Sequence, residues 1–489
     1  MIKHALPRFT VILAGSALPF AFAPYDFYIL AIICPLILFS LCHQQTSKEA
    51  FLRGYLFALF YFGIGVNWLH ISINLFGGVN LIGALIFTYL LVAFISLYPA
   101  LSVFLAIRYF SRHSIIAMPL LWILLEWLRG WFLSGFPWLN IGTSQTDSLF
   151  RAYMPVIGDY GTGFIIVSLA ASFVIIFRYS SNIRWSALFY ISLIITLASY
   201  LLPQQWSTPL NRSLSVTLVQ GAIPQEVKWK PEMRKHTLDS YLSLSEVGWQ
   251  SDLLIWPETA IPLFYQVANE YLTSIREKQT NSNTLFMSGI AFQDTTTRQY
   301  FNSILIQDEE DRFYHKSQLV PFGEYLPFKP LLGGILKILE IPMSDFSKGD
   351  PSAKTIITDK ATLGMSICYE DAYSEIFRQA MPDANIFINI SNDAWFGDSL
   401  APHQHLQIAK VRTIEYQRSL LRATNTGISA IIDYNSNIVL RSPQFIPYAL
   451  SGSVELYEGN TPFSRFGNIP MLIICSVLLL LLLRLNNKV

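Results

Sequence analysis

Charge is what this sequence has least of. Only 14% of its 489 residues are Asp, Glu, Lys or Arg, against about 25% in an ordinary soluble domain, while 52% are hydrophobic. So small a supply of charge excludes both a disordered chain and a wholly water-facing one. Neither sign is in excess, because 34 Lys+Arg meet 33 Asp+Glu for a net charge of +1. Without a global positive field the chain has nothing to recruit nucleic acid, and nucleic-acid binding is set aside. Cysteine is scarce too. Of the four, Cys34, Cys42 and Cys475 fall in or beside long apolar runs, so Cys368 has no disulfide partner in its own part of the chain. No set of His, Cys, Asp and Glu has metal-ligand spacing, so no metal and no cofactor is expected. Internal repeats and low-complexity linkers are also missing.

What charge there is lies unevenly. Residues 1–205 hold ten Lys/Arg and five Asp/Glu, and the other 284 positions hold the remaining 52. This predicts a transmembrane domain over 1–205, a water-facing domain over 206–462, and a C-terminal helix with a short tail over 463–489. A helix needs about 20 mostly apolar residues to cross a bilayer. Seven such runs precede residue 205, at 8–24, 27–42, 54–72, 80–107, 114–132, 161–178 and 185–202, and an eighth spans 466–484. Alternating the loops puts Lys3, Arg8, Lys48, Arg53, Arg108, Arg112, Arg178, Arg184, Arg484 and Lys488 on one side and only Arg129 and Arg151 on the other. Positive charge marks the cytoplasmic side, so residues 203–465 are expected outside the cytoplasm. A cleavable signal peptide ending at Ala21-Phe22-Ala23 is the alternative reading of the N-terminus and leaves that topology unchanged. The Trp-rich stretch 127–138 reads either as an interfacial aromatic belt or as a shaped substrate site.

In the water-facing part, β-rich runs alternate with helical patterns, which implies α/β layering. Strands are expected at 213–221, 252–256, 284–290, 301–307, 362–368 and 384–390, a helix at 404–421, and a hairpin turn at Asp433–Asn437. Two stretches are unusually apolar, 261–265 and 331–343. They are either core or loops that rest on a bilayer.

Cys368 follows the strand-like run 361–367 and precedes Tyr369, Glu370 and Asp371. A nucleophile is usefully exposed where a strand runs into a turn; inert burial is the competing reading. Thiol catalysis needs a base and positive charge or donors where an oxyanion develops. His315, His403 and His405 are the nearby histidines, and nothing in their motifs ties one to the thiol. Glu258 ends the strand-like Leu254-Ile-Trp-Pro-Glu258, and Lys316 lies in Tyr314-His-Lys-Ser-Gln. Each is separated from the next member of the trio by about one αβ or ββ unit, and the ends of successive strands can converge on one edge of a sheet.

With these residues in place the sequence resembles the nitrilase superfamily, and within it the membrane-embedded apolipoprotein N-acyltransferase family. The carriers, in order, are Trp127-Leu-Arg-Gly-Trp131, Gly135-Phe-Pro-Trp-Leu139, Val219 to Gln225 with Trp229, Trp256-Pro-Glu-Thr-Ala260, Leu319 to Tyr325, Ile367-Cys-Tyr-Glu370, Ser391 to Asp398, and Arg422-Ala-Thr-Asn-Thr-Gly427. The resemblance covers almost the whole chain. It implies about eight transmembrane helices plus an extracytoplasmic α/β domain, a nitrilase-like αββα sandwich with a Glu-Lys-Cys triad.

By the same resemblance the activity is transfer of a fatty acyl chain from a phospholipid to the α-amino group of a diacylglyceryl-modified N-terminal cysteine, through a thioester. The setting implied is the bacterial inner membrane, with the catalytic domain facing the periplasm. The partners are the phospholipid donor, the diacylated lipoprotein acceptor and the bilayer itself. Glu258 is then the general base and acid, Lys316 the charge that faces the oxyanion and helps hold a thiolate, and Cys368 the nucleophile. Glu324 orients Lys316 or the amine, unless it is only a structural ion pair. Tyr369 and Glu370 position the nucleophile or a lid, or are plain turn residues. Trp229 and Trp395 pack against acyl chains or headgroups, unless they are core. Two other functions use the same residues differently: a membrane-tethered nitrilase-type amidase that lets water resolve the thioester, and a transporter or receptor with an inactive nitrilase-like sensor. An intact Glu258, Lys316 and Cys368 speaks against the second.

Overall fold

The computed structural model describes residues 2–280, 282–308, 310–325, 345–352 and 354–487. They form two compact units: Met1–His70 with Ile82–Gln205 and Thr461–Val489, and Ile71–Leu81 with Trp206–Asn460.

The first unit is helical. Among the described residues four stretches are long and apolar enough to cross a bilayer: Leu81–Tyr109, Leu149–Arg178, Asn182–Leu201 and Ile469–Asn486. Counting Ser47–Gly65 with Leu69–Phe76 as one bent span brings the number to five. The other apolar runs fold as shorter helices. Ile2–Ala17 ends ahead of Pro19 and passes into a single tight turn, and the runs at 27–42 and 114–132 form helices Leu30–Cys42 and Ser114–Arg129. Trp131, Phe132 and Leu133 are exposed, as an aromatic belt requires, whereas Trp138 is buried edge-on against Trp68 at 5.4 Å. Arg129 holds the loop between these residues by donating to the carbonyls of Phe136 and Trp138, each at 2.7 Å.

The second unit is layered. Its described strands are β1 (Ser207–Gln220), β2 (Leu253–Ile255), β3 (Ile261–Phe264), β4 (Leu285–Gln293), β5 (Tyr300–Gln307), β6 (Asp311–His315), β7 (Thr355–Ile357), β8 (Thr362–Ile367), β9 (Ile386–Ser391), β10 (Leu420–Thr424), β11 (Ala430–Ile432), β12 (Ile438–Arg441) and β13 (Tyr448–Gly459). One sheet runs β13-β1-β2-β4-β5-β6, with β3 also on β4, and the other runs β12-β11-β10-β9-β8-β7. The centre of each is parallel, β1-β2-β4 and β8-β9-β10.

Period-2 alternation decides which side chains meet. Leu214, Val216 and Leu218 of β1 share one apolar cluster with Leu363, Met365 and Ile367 of β8 and Ile386, Ile388 and Ile390 of β9. The outer face of the first sheet is covered differently. Val219, Leu254 and Phe286 pack with Leu238 and Tyr241 of helix Arg234–Ser245 and Leu272 and Ile275 of helix Asn269–Thr280. On the second sheet Phe387 meets Phe377 and Tyr416, from helices Ser374–Ala380 and Ala401–Tyr416. The result is an αββα sandwich of the nitrilase kind.

Every strand expected from the sequence is present, and the turn at Asp433 closes a hairpin, with Asp433 N–H donating to Asn437 O at 3.0 Å. The expected helix at 404–421 is corrected to Ala401–Tyr416. Gln417 takes a left-handed φ of +46°, which ends the helix, and Leu420 and Leu421 join β10 instead. Residues 261–265 are core rather than a membrane-resting loop. Ile261 is fully buried in β3, and Leu263 and Tyr265 pack against the same cluster. The other apolar stretch, 331–343, lies outside the described residues.

Ile388 sits on central β9 with no exposed surface. Ile388→Ala is expected to destabilise the layered unit by about 2–5 kcal/mol, measured by denaturant unfolding of the purified protein; a loss below about 0.5 kcal/mol would contradict the two-sheet core.

Candidate active site

Three strands end where the candidate residues begin. β2 runs into Glu258 through Trp256 and Pro257, β6 into Lys316, and β8 into Cys368. Each turn is fixed locally. The Pro257-Glu258-Thr259 turn, with Thr259 at φ +49°, lies directly on Gly289 of β4, where a Cβ would come within 2.3 Å of the Thr259 nitrogen. Only glycine leaves room there. Lys316 N–H donates to Asn302 O at 2.8 Å, which continues the β5–β6 ladder to the site. Cys368 itself takes a left-handed φ of +52°. For a residue with a Cβ that conformation costs about 1–3 kcal/mol and persists only when the surroundings impose it.

The structure brings Glu258, Lys316 and Glu324 into direct contact. Lys316 Nζ lies 2.9 Å from Glu324 Oε1 and 3.6 Å from Glu258 Oε1. Asn302 Nδ2 donates to both carboxylates, at 2.7 Å to Glu258 and 2.8 Å to Glu324. Glu324 also accepts from Val320 N–H at 2.8 Å. Lys316 is 1% exposed. Burial acts to strip its proton, but Glu324 and Glu258 outweigh it and hold the ammonium well above the ordinary lysine range. Lys228 differs. It is fully buried, donates to the Glu258 carbonyl at 3.0 Å, and is brought down to about 7 because burial dominates and Glu258 compensates only in part.

Cys368 is half-buried and free. Burial pushes its thiol upward, the Glu258 carboxylate adds to the effect, and Lys316 and a hydrogen bond with Ser391 only partly counter it. Lys316 pairs with the two carboxylates and also favours the thiolate, as expected, but it works against burial and Glu258, which together push the thiol the other way.

Glu370 is completely buried and accepts five hydrogen bonds. Three come from backbone N–H groups, Ile367 at 2.8 Å, Ser317 at 2.8 Å and Gln318 at 3.0 Å, and two from the hydroxyls of Ser317 and Tyr314 at 2.9 and 2.7 Å. It ties the loop after Lys316 to the turn of Cys368. Tyr369 stacks edge-on with Tyr373 at 5.3 Å and lies beside the nucleophile's backbone. Trp229 and Trp395 are half-buried, not core. Trp395 meets Phe76 edge-on at 4.9 Å, and Trp229 follows Lys228 at the end of a short helical turn. Sequence reasoning missed Asn302 and Lys228. Asn302 carried only a weak signal, an amide inside an expected strand, with Phe301 on one side and Ser303 on the other. Lys228 carried none, because a lysine beside an exposed turn reads as surface.

Comparison with known proteins fits both units. A model of the apolipoprotein N-acyltransferase N-terminal domain matches residues 14–172, and a carbon-nitrogen hydrolase model matches residues 215–451. The apolipoprotein N-acyltransferase of Methylococcus capsulatus is 37% identical over 467 residues, covering 94% of this chain and 93% of that protein. Those of Vibrio cholerae and Pasteurella multocida are 36% and 35% identical, covering 96% of this chain each and 96% and 93% of their own lengths.

A thiol pushed upward by burial predicts slow alkylation of Cys368 by iodoacetamide at pH 7, with a rate that rises as pH climbs through and beyond the ordinary thiol range near 8.5. Glu258→Gln removes a neighbouring negative charge and is expected to move that rise to lower pH. Peptide-mapping mass spectrometry reads both. Fast, pH-independent labelling would contradict the assignment.

Proposed function

The chain belongs to the apolipoprotein N-acyltransferase family, and we propose that it moves a fatty acyl chain from a membrane phospholipid to the N-terminal α-amino group of a diacylglyceryl-cysteine lipoprotein. One observation carries the reading of the site: a free thiol on a left-handed turn, under the electrostatic influence of a carboxylate and an ammonium that are themselves 3.6 Å apart.

In this reading Glu258 takes the Cys368 proton as sulfur attacks the phospholipid ester carbonyl. The tetrahedral oxyanion is met by the Lys316 ammonium and by the backbone N–H of Tyr369. Collapse breaks the bond to the glycerol oxygen, Glu258 hands its proton to that oxygen, and a lysophospholipid leaves behind the thioester. The lipoprotein amine then attacks the same carbonyl carbon, Glu258 accepts its proton, and sulfur departs and recovers that proton as the thiol. Glu324 orients Lys316 throughout, and Asn302 spaces the two carboxylates. Trp229 and Trp395 border the substrates, and Tyr369 and Glu370 fix the nucleophile's turn.

Two lipid-anchored substrates meet a site at the bilayer by lateral diffusion. The distribution of ten to two in flanking Lys/Arg supports eight crossings of the bacterial inner membrane, with residues 206–462 on the periplasmic side. An amidase acting on small soluble molecules needs no such helices.

Intact-mass spectrometry after incubation with phospholipid is expected to show one added acyl group on the enzyme. It is lost in Cys368→Ala and discharged by a diacylated lipopeptide. Lys316→Met should slow acylation by about 10²–10³-fold. Discharge by water as fast as by lipopeptide would favour the amidase instead.

A further inference from the structure

Beneath Cys368 lies a charged cluster that the steps above do not use. Asp371, Asp393, His405 and Arg422 are 0%, 1%, 2% and 0% exposed. They come from four different places: the turn after Cys368, the turn after β9, helix Ala401–Tyr416 and β10. Arg422 donates to Asp371 at 2.9 Å, to Asp393 at 3.2 Å and to Asn389 Oδ1 at 2.8 Å. Asn389 Nδ2 in turn donates to Asp371 at 2.7 Å. The cluster is thus bound to the second sheet at several points.

His405 is the member that reaches the nucleophile, and it reaches the backbone rather than the sulfur. Its Nε2 lies 3.1 Å from the carbonyl oxygen of Cys368, and its Nδ1 lies 2.9 Å from Asp393 Oδ1. A carbonyl oxygen only accepts, so Nε2 carries a hydrogen. Burial pushes the Asp393 carboxyl up, but Arg422 and His405 overcome it and leave the group at about 2. Asp393 thus holds the ring from its other nitrogen, while Arg422 ties both Asp393 and Asp371 to the sheet.

The Cys368 carbonyl and the Tyr369 N–H belong to one planar trans peptide, so fixing the direction of the first fixes the second in the opposite direction. We propose that His405 is a positioning residue, locking the Cys368–Tyr369 peptide so that the Tyr369 N–H points at the developing oxyanion while Cys368 keeps its left-handed turn. This rests on the acyl-transfer reading, in which that N–H is an oxyanion donor. His405 touches no reacting atom. Its role is to stop the peptide from turning its carbonyl, rather than its N–H, toward the substrate.

Two near-isosteric variants separate this role from general support. His405→Gln can place an amide N–H where Nε2 stands and keep the carbonyl donor, whereas His405→Asn keeps a group at the Nδ1 position and loses it. In His405→Asn the maximal rate of acyl-enzyme formation from phospholipid should fall by about 10²-fold, with half-saturating phospholipid unchanged. His405→Gln should recover most of that loss. Iodoacetamide labelling of Cys368 develops no oxyanion and should stay near the parent rate in both. Acylation in His405→Asn at the parent rate, or equal loss of acylation and labelling in both variants, would overturn the proposal. If neither variant folds, ring-¹⁵N spectra of the histidine-labelled parent enzyme decide it. One ring with a slowly exchanging proton on Nε2 is expected, and the absence of any such Nε2 proton refutes the assignment. An unsubstituted enzyme that forms no acyl-enzyme would strike at the acyl-transfer reading, and the ¹⁵N spectra would still judge His405.

Discussion

The site depends on keeping one ammonium charged where there is almost no water. Lys316 is 1% exposed, and the Glu324 carboxylate at 2.9 Å, with Glu258 at 3.6 Å behind it, makes that charge tolerable. Removing one partner from such a buried pair typically costs about 3–5 kcal/mol, because the other charge is left unpaired. Burial first, and the Glu258 carboxylate second, push the Cys368 thiol upward, and Lys316 counters them only in part. The same arrangement suits a reaction that begins with proton transfer to Glu258: once that carboxylate is neutralised, Lys316 faces the newly formed negative charge without a competitor on that side.

Around this centre the chain uses one device repeatedly. A strand supplies rigidity, and the residue just past its end supplies chemistry. Glu258 and Cys368 follow parallel strands in different sheets, and Lys316 follows an antiparallel one. Long-range hydrogen bonds then couple the strand ends: Asn302 bridges Glu258 and Glu324, Glu370 joins the loop of Lys316 to the turn of Cys368, and Arg422 ties that turn to Asp393. Each connector is buried, so each works in a low dielectric where a satisfied polar network is rigid and a broken one is costly. Around Cys368 these connections hold a strained backbone conformation that local sequence alone would not choose.

Much of the layered unit was legible because its strands state their own period. In Leu214, Val216 and Leu218, or Ile386, Ile388 and Ile390, alternation names the buried face before any partner is known. The helix over 404–421 was read too long for the opposite reason. Nothing in Gln417 announces a left-handed turn, and Leu420 and Leu421 suit a helix and a strand equally well. The stretch 261–265 was ambiguous because hydrophobicity says that a segment avoids water, not which partner shields it. Packing against β4 answered that question.

By itself the sequence determined the division into a charge-poor and a charge-richer part, the alternating strands, and Glu258 and Cys368 as residues placed at strand ends, with Lys316 at a matching separation between them. These follow from local chemistry and periodicity, which act within a few residues. Only the tertiary structure decided that His405 faces the nucleophile's carbonyl instead of its sulfur, that Lys228 lies buried against Glu258, and that burial pushes the Cys368 thiol upward. Those outcomes are set by burial and by charges brought together from segments 30 to 110 residues apart, and desolvation has no signature in a linear string.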